Sequence, residues 1–289
     1  VITEILSDGG AVRIDSLGAQ LCSLRDVFGT EYVWQADPAY WSWHAPMLFP
    51  IVGRLPGGFY TYGGKKYEMP MHGIARRREF RLIRNDRSSA DLLLASDDET
   101  LASYPFKFQL IVSYSLSGRE LEIKNTVMNT GDGDMLFCLG QHPAFNVPLV
   151  EGDKFEDYDI IFEKEEKLYT LLSDKNVMFT DKTKLLLDGG RVLPMTRSLF
   201  DNDAIVPVGL KSRYAELRSR RSGRGVGMRF DDYNTLGIWT KSDAPFICLE
   251  PWIGRGAGVG ESGELKDKPE VVTLAAGRSF TAKHTIVML

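Results

Sequence analysis

Cysteine is scarce in this chain of 289 residues. The three present, Cys22, Cys138 and Cys248, lie far apart and form no CxxC pair. That argues against a disulfide framework or a zinc knuckle and fits a reducing, cytoplasmic setting. Long apolar runs are missing, so no segment reads as a membrane span. An excess of one charge is missing too: 35 Lys and Arg face 39 Asp and Glu, a formal net charge of -4. A mildly acidic balance offers no basic face to nucleic acid or to a membrane surface. The first residues, Val1-Ile2-Thr3-Glu4, show no basic segment leading into an apolar core, so no signal peptide is expected. Helix signals are few. The best is Ser96 to Ser103, with Ser96 as its cap, an acidic first turn and Pro105 as its stop. Pro38 to Trp41 and Thr196 to Phe200 each have room for one turn. No repeat and no low-complexity linker divides the chain, which predicts a single domain over residues 1–289.

What abounds is short alternation. From Phe106 to Leu116 the apolar residues Phe106, Phe108, Leu110, Val112, Tyr114 and Leu116 share one face, which predicts a half-buried strand. Ser117-Gly118-Arg119 turns it, and Glu120 to Met128 alternates again, so the two form a hairpin. Further hairpins are predicted over Phe59 to Tyr67 and Arg213 to Phe230, and a last strand over Ser279 to Met288. The expected fold is all-β, many antiparallel strands packed as one large sandwich.

Chemistry gathers at strand ends. Pro245 to Trp252 reads as a buried strand that should end at Pro251 or sit at an edge there, which leaves Glu250 at its end. A glutamate there is either paired structurally or used chemically, and this one stretch leaves both open. His72 follows Pro70 and precedes Gly73; His142 sits between Gln141 and Pro143, where an apolar strand enters a polar cluster. His44 and His284 read as satisfied imidazoles of the surface or core. Arg54 and Arg76 each close a short motif with a five-donor fork suited to hydroxyls or an anion. Arg77, Arg78, Arg81, Arg218, Arg220, Arg221 and Arg224 read as solvated cations. Trp34, Trp41 and Trp252 are either platforms for a sugar ring or core residues.

Taken in order, Phe49-Pro50-x-x-Gly53-Arg54, His72-Gly73-x-Ala75-Arg76, Gly140-x-His142-Pro143-Ala144-Phe145 and Glu250-Pro251-Trp252 resemble the aldose 1-epimerase (galactose mutarotase) family. The resemblance is to its bacterial lactose-operon-associated epimerase-like branch in particular. Leu17-Gly18-Ala19-Gln20-Leu21 and Glu31-Tyr32-Val33-Trp34 extend the match over nearly the whole chain. The resemblance implies a β-supersandwich and an isomerase without metal or cofactor. It implies that Glu250 is the general base at the anomeric hydroxyl and His142 the general acid at the ring oxygen, with His72 steadying the ring side. A family aspartate that binds sugar hydroxyls is matched by Asp203 in preference to Asp201. Arg54, Arg76, Trp252 and Gln141 complete the expected substrate-binding set. The expected partner is a small sugar or sugar phosphate, and the chain is expected to be a monomer or homodimer.

The residue types suit that chemistry. Opening a hemiacetal needs one proton removed and one delivered, here by a base and an acid expected on opposite sides of the ring; each contributes roughly 10²–10⁴-fold. Four alternatives stay in view. The same scaffold suits a hexose-6-phosphate mutarotase or a non-catalytic carbohydrate binder. His72, His142 and Glu250 make a two-His, one-carboxylate metal set. Glu250 with Asp203 makes a glycosidase pair. A nucleophile at Cys138 or Cys248 is disfavoured, because strand-buried thiols are usually inert.

Overall fold

In the computed structural model, which describes residues 1–289, the alternating segments pair as antiparallel neighbours. Phe108–Ser117 and Glu120–Asn129 run in register from Ser117 opposite Glu120 to Phe108 opposite Asn129. They lie inside a nine-stranded sheet. Its order is Val192–Pro194, Tyr158–Phe162, Tyr214–Ser219, Gly225–Arg229, Ser279–Met288, Glu120–Asn129, Phe108–Ser117, Ser89–Ala95 and Arg81–Asn85. Along its long strands buried and exposed residues alternate, as a sheet with one solvated face requires.

A second, five-stranded sheet is built around Phe246–Ile253. Thr235–Trp239 flanks that strand on one side; Ala144–Asn146 and Leu139–Gln141 share the other, and Met47–Leu48 lies beyond. One apolar cluster joins Leu110, Val112, Leu121 and Ile286 of the large sheet to Leu236, Ile238, Ile247 and Leu249 of the small one. The two sheets therefore close on a common core, each fully buried Leu, Ile or Phe stabilising by roughly 1.5–3 kcal/mol. All eight residues of Phe246–Ile253 are buried, because its other face is covered too. There Phe246 and Cys248 pack with Trp34, and Trp252 packs with Leu48 and Val206. No helix is long and apolar enough to cross a membrane.

Three local expectations need correction. The short helix is Asp98–Ser103, and its cap is Asp97, not Ser96. Asp97 accepts from the Thr100 N–H while the Thr100 hydroxyl accepts from the Asp97 N–H, a reciprocal box that a serine one residue earlier is out of register to make. Ser96 instead accepts from the Phe108 N–H. The strand expected from Phe106 begins at Phe108, although Phe106 is still buried.

The third correction matters for function. Phe246–Ile253 does not stop at Pro251 but runs through it. The strands beside it leave a gap there: Ala144–Asn146 pairs with residues 246–248 and Leu139–Gln141 with 252–253. In the gap the Leu249 N–H donates to the Pro143 carbonyl. Pro251, two residues on, would point its donor to the same side, where the ladder is already interrupted. Glu250 thus lies in mid-strand, at the gap.

Candidate active site

Alternation puts Phe246, Cys248, Glu250 and Trp252 on one face of the strand, the face away from the main core. Gly237 stands opposite Glu250 on the neighbouring strand. A Cβ there would lie 2.8 Å from the Trp252 ring, and one on Gly140 would also lie 2.8 Å from it. Two glycines thus leave the space in which the indole lies beside the carboxylate.

His142 comes from the chain that crosses the gap. Its N–H donates to the Pro46 carbonyl. Its ring lies against Trp41, centroids 4.8 Å apart and 31° from parallel, and meets Trp239 edge-on at 5.6 Å. This box aims Nε2 at Glu250 Oε2, 3.2 Å away. The approach is close but not aligned as a hydrogen bond; Oε2 and His142 Nδ1 are both buried without a partner. The acid and base expected on opposite sides of a ring are therefore side by side.

His72 stands on a backbone with φ 64°. Its N–H donates to the Gly53 carbonyl at 2.9 Å, and its Nδ1 accepts from the Gly53 N–H at 3.1 Å. A ring nitrogen that accepts carries no proton, so in the neutral ring the proton is on Nε2, which is left as a donor. The ring is 5.5 Å from that of His142.

Burial sets the charge states. It pushes the Glu250 carboxyl well above its usual value, the Asp203 carboxylate adds to this, and the Trp252 indole N–H works the other way. Burial holds His142 down to about 3, with the Arg76 cation contributing. Burial, His142 and the two arginines hold His72 well below its ordinary value. Burial thus drives each partner toward its neutral form, the carboxyl protonated and the imidazole not.

Asp203, φ 69°, reaches the same cavity through a turn. Its Oδ1 accepts from the Trp239 indole N–H at 2.9 Å, and mutual backbone bonds between Ile205 and Ile238 hold the two segments together. Asp201 is not on this wall. Arg76 is 6 % exposed, donates to the Met71 carbonyl at 2.8 Å and stacks over Trp43 at 5.0 Å. Burial holds it to about 10, and its Nε has no partner. Arg54 is exposed at the rim. Neither arginine belongs to any ion pair of the molecule.

Together Glu250, His142, His72, Asp203, Arg54, Arg76 and Trp252 line a cavity of about 200 Å³. Gln141 is the expected residue that does not. It is on the strand face opposite to His142, and its amide donates to Asn125 Oδ1 inside the core at 3.2 Å. Trp34 also stays out of the cavity; it is buried, and its indole N–H donates to the Trp41 carbonyl. Trp41 does line the wall. His44 Nδ1 meets the Trp34 carbonyl at 2.7 Å, and His284 is buried beside Tyr233, both outside the site. Trp239, Phe179 and Gly256 line the cavity and were not expected. Trp239 ends an apolar alternation just as the other site residues do, so that signal was available. Phe179 and Gly256 have none, since only the fold brings Gly256 against Gly53.

The family model described as aldose 1-epimerase matches residues 3–252. Protein LacX of Lactococcus lactis subsp. lactis, the plasmid form, is 38% identical over 297 residues, covering 99% of each chain. A galactose mutarotase related enzyme from Lactobacillus acidophilus superposes with a TM-score of 0.93 at 31% identity, covering 100% of this chain and 97% of the other. A galactose mutarotase-like protein from Lactobacillus casei superposes with a TM-score of 0.94 at 30% identity, covering 100% of both.

Proposed function

The chain belongs to the aldose 1-epimerase family, and on that premise we propose that it interconverts the α and β anomers of a hexose or related sugar by general acid/base ring opening. The observation that supports this most directly is the close approach of Glu250 and His142, 3.2 Å apart on the wall of a small cavity. The two oxygens that exchange protons in mutarotation, the anomeric hydroxyl and the ring oxygen, are bonded to one carbon. An acid and a base in contact suit that arrangement better than a pair facing each other across the ring.

The two tautomers of the pair serve the two halves of the reaction. With the proton on His142, Glu250 takes the anomeric proton and His142 delivers its own to the ring oxygen, which opens the ring. That leaves the proton on Glu250 and a neutral His142, the form burial favours. Rotation about C1–C2 presents the other carbonyl face. His142 then takes the hydroxyl proton and Glu250 returns its proton to the carbonyl oxygen as the ring closes. The Nε2–H of His72 donates to the sugar, and Asp203 accepts from sugar hydroxyls. No group is consumed, and either anomer is a substrate.

Polarimetry of freshly dissolved α-glucose and α-galactose tests this. Glu250→Gln and His142→Asn are each expected to abolish the protein's acceleration of the approach to equilibrium. Wild-type rates in either variant would overturn the assignment, and sugar binding without faster exchange in the unmodified protein would leave a binder.

A second reading concerns the substrate. Arg76 is buried with an unpartnered Nε, and neither it nor Arg54 is paired with a carboxylate, which favours a sugar bearing an anion such as a 6-phosphate. Saturation-transfer NMR over free and phosphorylated hexoses separates the two. Preference for the phosphorylated sugar, lost in Arg76→Met, is expected; equal exchange of both forms counts against it.

A further inference from the structure

We propose that Cys248, Glu250 and His142 form a site for one zinc ion, and that zinc there blocks the sugar reaction. The reaction needs no metal, so the ion is an inhibitor and not a cofactor. Cys248 and Glu250 are two residues apart on one strand and face the same way, and His142 reaches them from the crossing chain. One ligand atom from each residue lies within 4.8 Å of the others, and the His142–Glu250 separation is 3.2 Å. Tetrahedral zinc with bonds of about 2.0–2.3 Å holds its ligands roughly 3.3–3.8 Å apart. The His142–Glu250 pair already stands at about that separation, and closing the site needs the widest of the three separations, at most 4.8 Å, to shorten by about 1 Å.

The donor set points to zinc in particular. Thiolate, imidazole and carboxylate are the ligands zinc takes, and three protein ligands with one position open is its usual arrangement outside structural sites. One thiolate and one carboxylate cancel the charge of the ion, so the complex is neutral in a buried setting. Binding releases the proton of the Cys248 thiol and the proton held by the Glu250–His142 pair. Glu250 Oε2, the oxygen that faces His142 Nε2, is buried with no hydrogen-bond partner within the protein. The cavity side of Glu250 and His142 leaves the fourth position to water or a sugar hydroxyl. Cys248 itself lies behind the carboxylate, off the cavity wall, and is a free thiol. It touches no step of the proton transfer.

Cobalt(II), a spectroscopic stand-in for zinc, tests the site on the full chain. A Cys22→Ser background removes the partly exposed thiol as a competing ligand. One equivalent of cobalt is expected to give the intense visible bands of a tetrahedral ion and a near-ultraviolet thiolate charge-transfer band, both removed by stoichiometric zinc. Cys248→Ala is expected to lose the charge-transfer band, to keep its mutarotation rate, and to need zinc at a concentration higher by about tenfold or more for half inhibition, at least the scale on which zinc sites weaken when a supporting residue is lost. Cys248→Ser keeps the side-chain shape and serves if the alanine variant folds poorly. A cobalt spectrum with no thiolate band, or one that persists without Cys248, overturns the proposal. The spectrum reads the site whether or not the protein turns over a sugar, so its failure is distinguishable from failure of the mutarotase reading.

Discussion

At Glu250 burial and reactivity pull in opposite directions. The side chain is 1 % exposed, and desolvation favours its protonated form. In the proposed reaction Glu250 must give up that proton, and His142, 3.2 Å away, is placed to take it. In the proposed mechanism the pair passes one proton between its members, so its working state should persist while solution pH changes. The rate of enzyme-catalysed exchange is expected to stay flat through neutrality. The acid limb should fall near the His142 value of about 3 and the alkaline limb well above the usual carboxylate range. Saturation-transfer NMR across a pH series, corrected for the buffer reaction, reads this. A limb at the ordinary imidazole value of about 6.5 would contradict the shared-proton account. The sequence made the residue types of this pair visible, together with the rigid turns that carry them. It could not show that they touch, because a separation of 108 residues between His142 and Glu250 says nothing about distance in the fold.

Elements place what single residues cannot. The strand Phe246–Ile253 carries a carboxylate between apolar neighbours and runs on through a proline because the chain beside it leaves the ladder at that point. The same gap admits His142. Trp252 depends on two other elements, since the strands bearing Gly140 and Gly237 leave it room. Gly237→Ala is expected to push the ring off its seat. Overpacking of this kind costs about 1–3 kcal/mol, and a displacement near 1 Å at a reacting group can cost as much as about 10²-fold in rate. Urea denaturation and exchange kinetics on the same variant check both effects; unchanged stability and unchanged rate would show that the ring has other room. The alternation of apolar residues made these strands legible. The helix cap was misplaced by one residue because Ser96 and Asp97 are both good caps, and only the partner at Thr100 decides between them.

At the scale of the whole molecule, two sheets closing on one core bury titratable groups outside the site as well. His284 is wholly enclosed on the Ser279–Met288 strand beside Tyr233, which in turn accepts from Asn125. Burial holds its imidazole to about 3. Unfolded, it would titrate near 6.5. Between these values the unfolded chain binds the extra proton, so stability is full above about 6.5 and falls as pH drops toward 3. The slope approaches ~1.4 kcal/mol per pH unit for each such group. His142 and His72 act in the same direction; Glu250, raised by burial, acts in the opposite one. Denaturation of the protein and of His284→Phe at pH 7 and pH 5 isolates the contribution. The variant is expected to lose less stability on acidification, and an identical loss in both would rule out His284 as a source.

The sequence alone determined the all-β class, the strands with one solvated face, and the motifs that carry Glu250, His142, His72, Arg54 and Arg76. These are local matters of period, turn chemistry and residue type. Tertiary structure decided the rest. It put Glu250 and His142 in contact, chose Asp203 over Asp201 for the cavity wall, turned Gln141 inward to Asn125, and added Trp239, Phe179 and Gly256. Each of those outcomes depends on which segments the two sheets bring together, and a linear pattern of apolar and polar residues does not encode such distances.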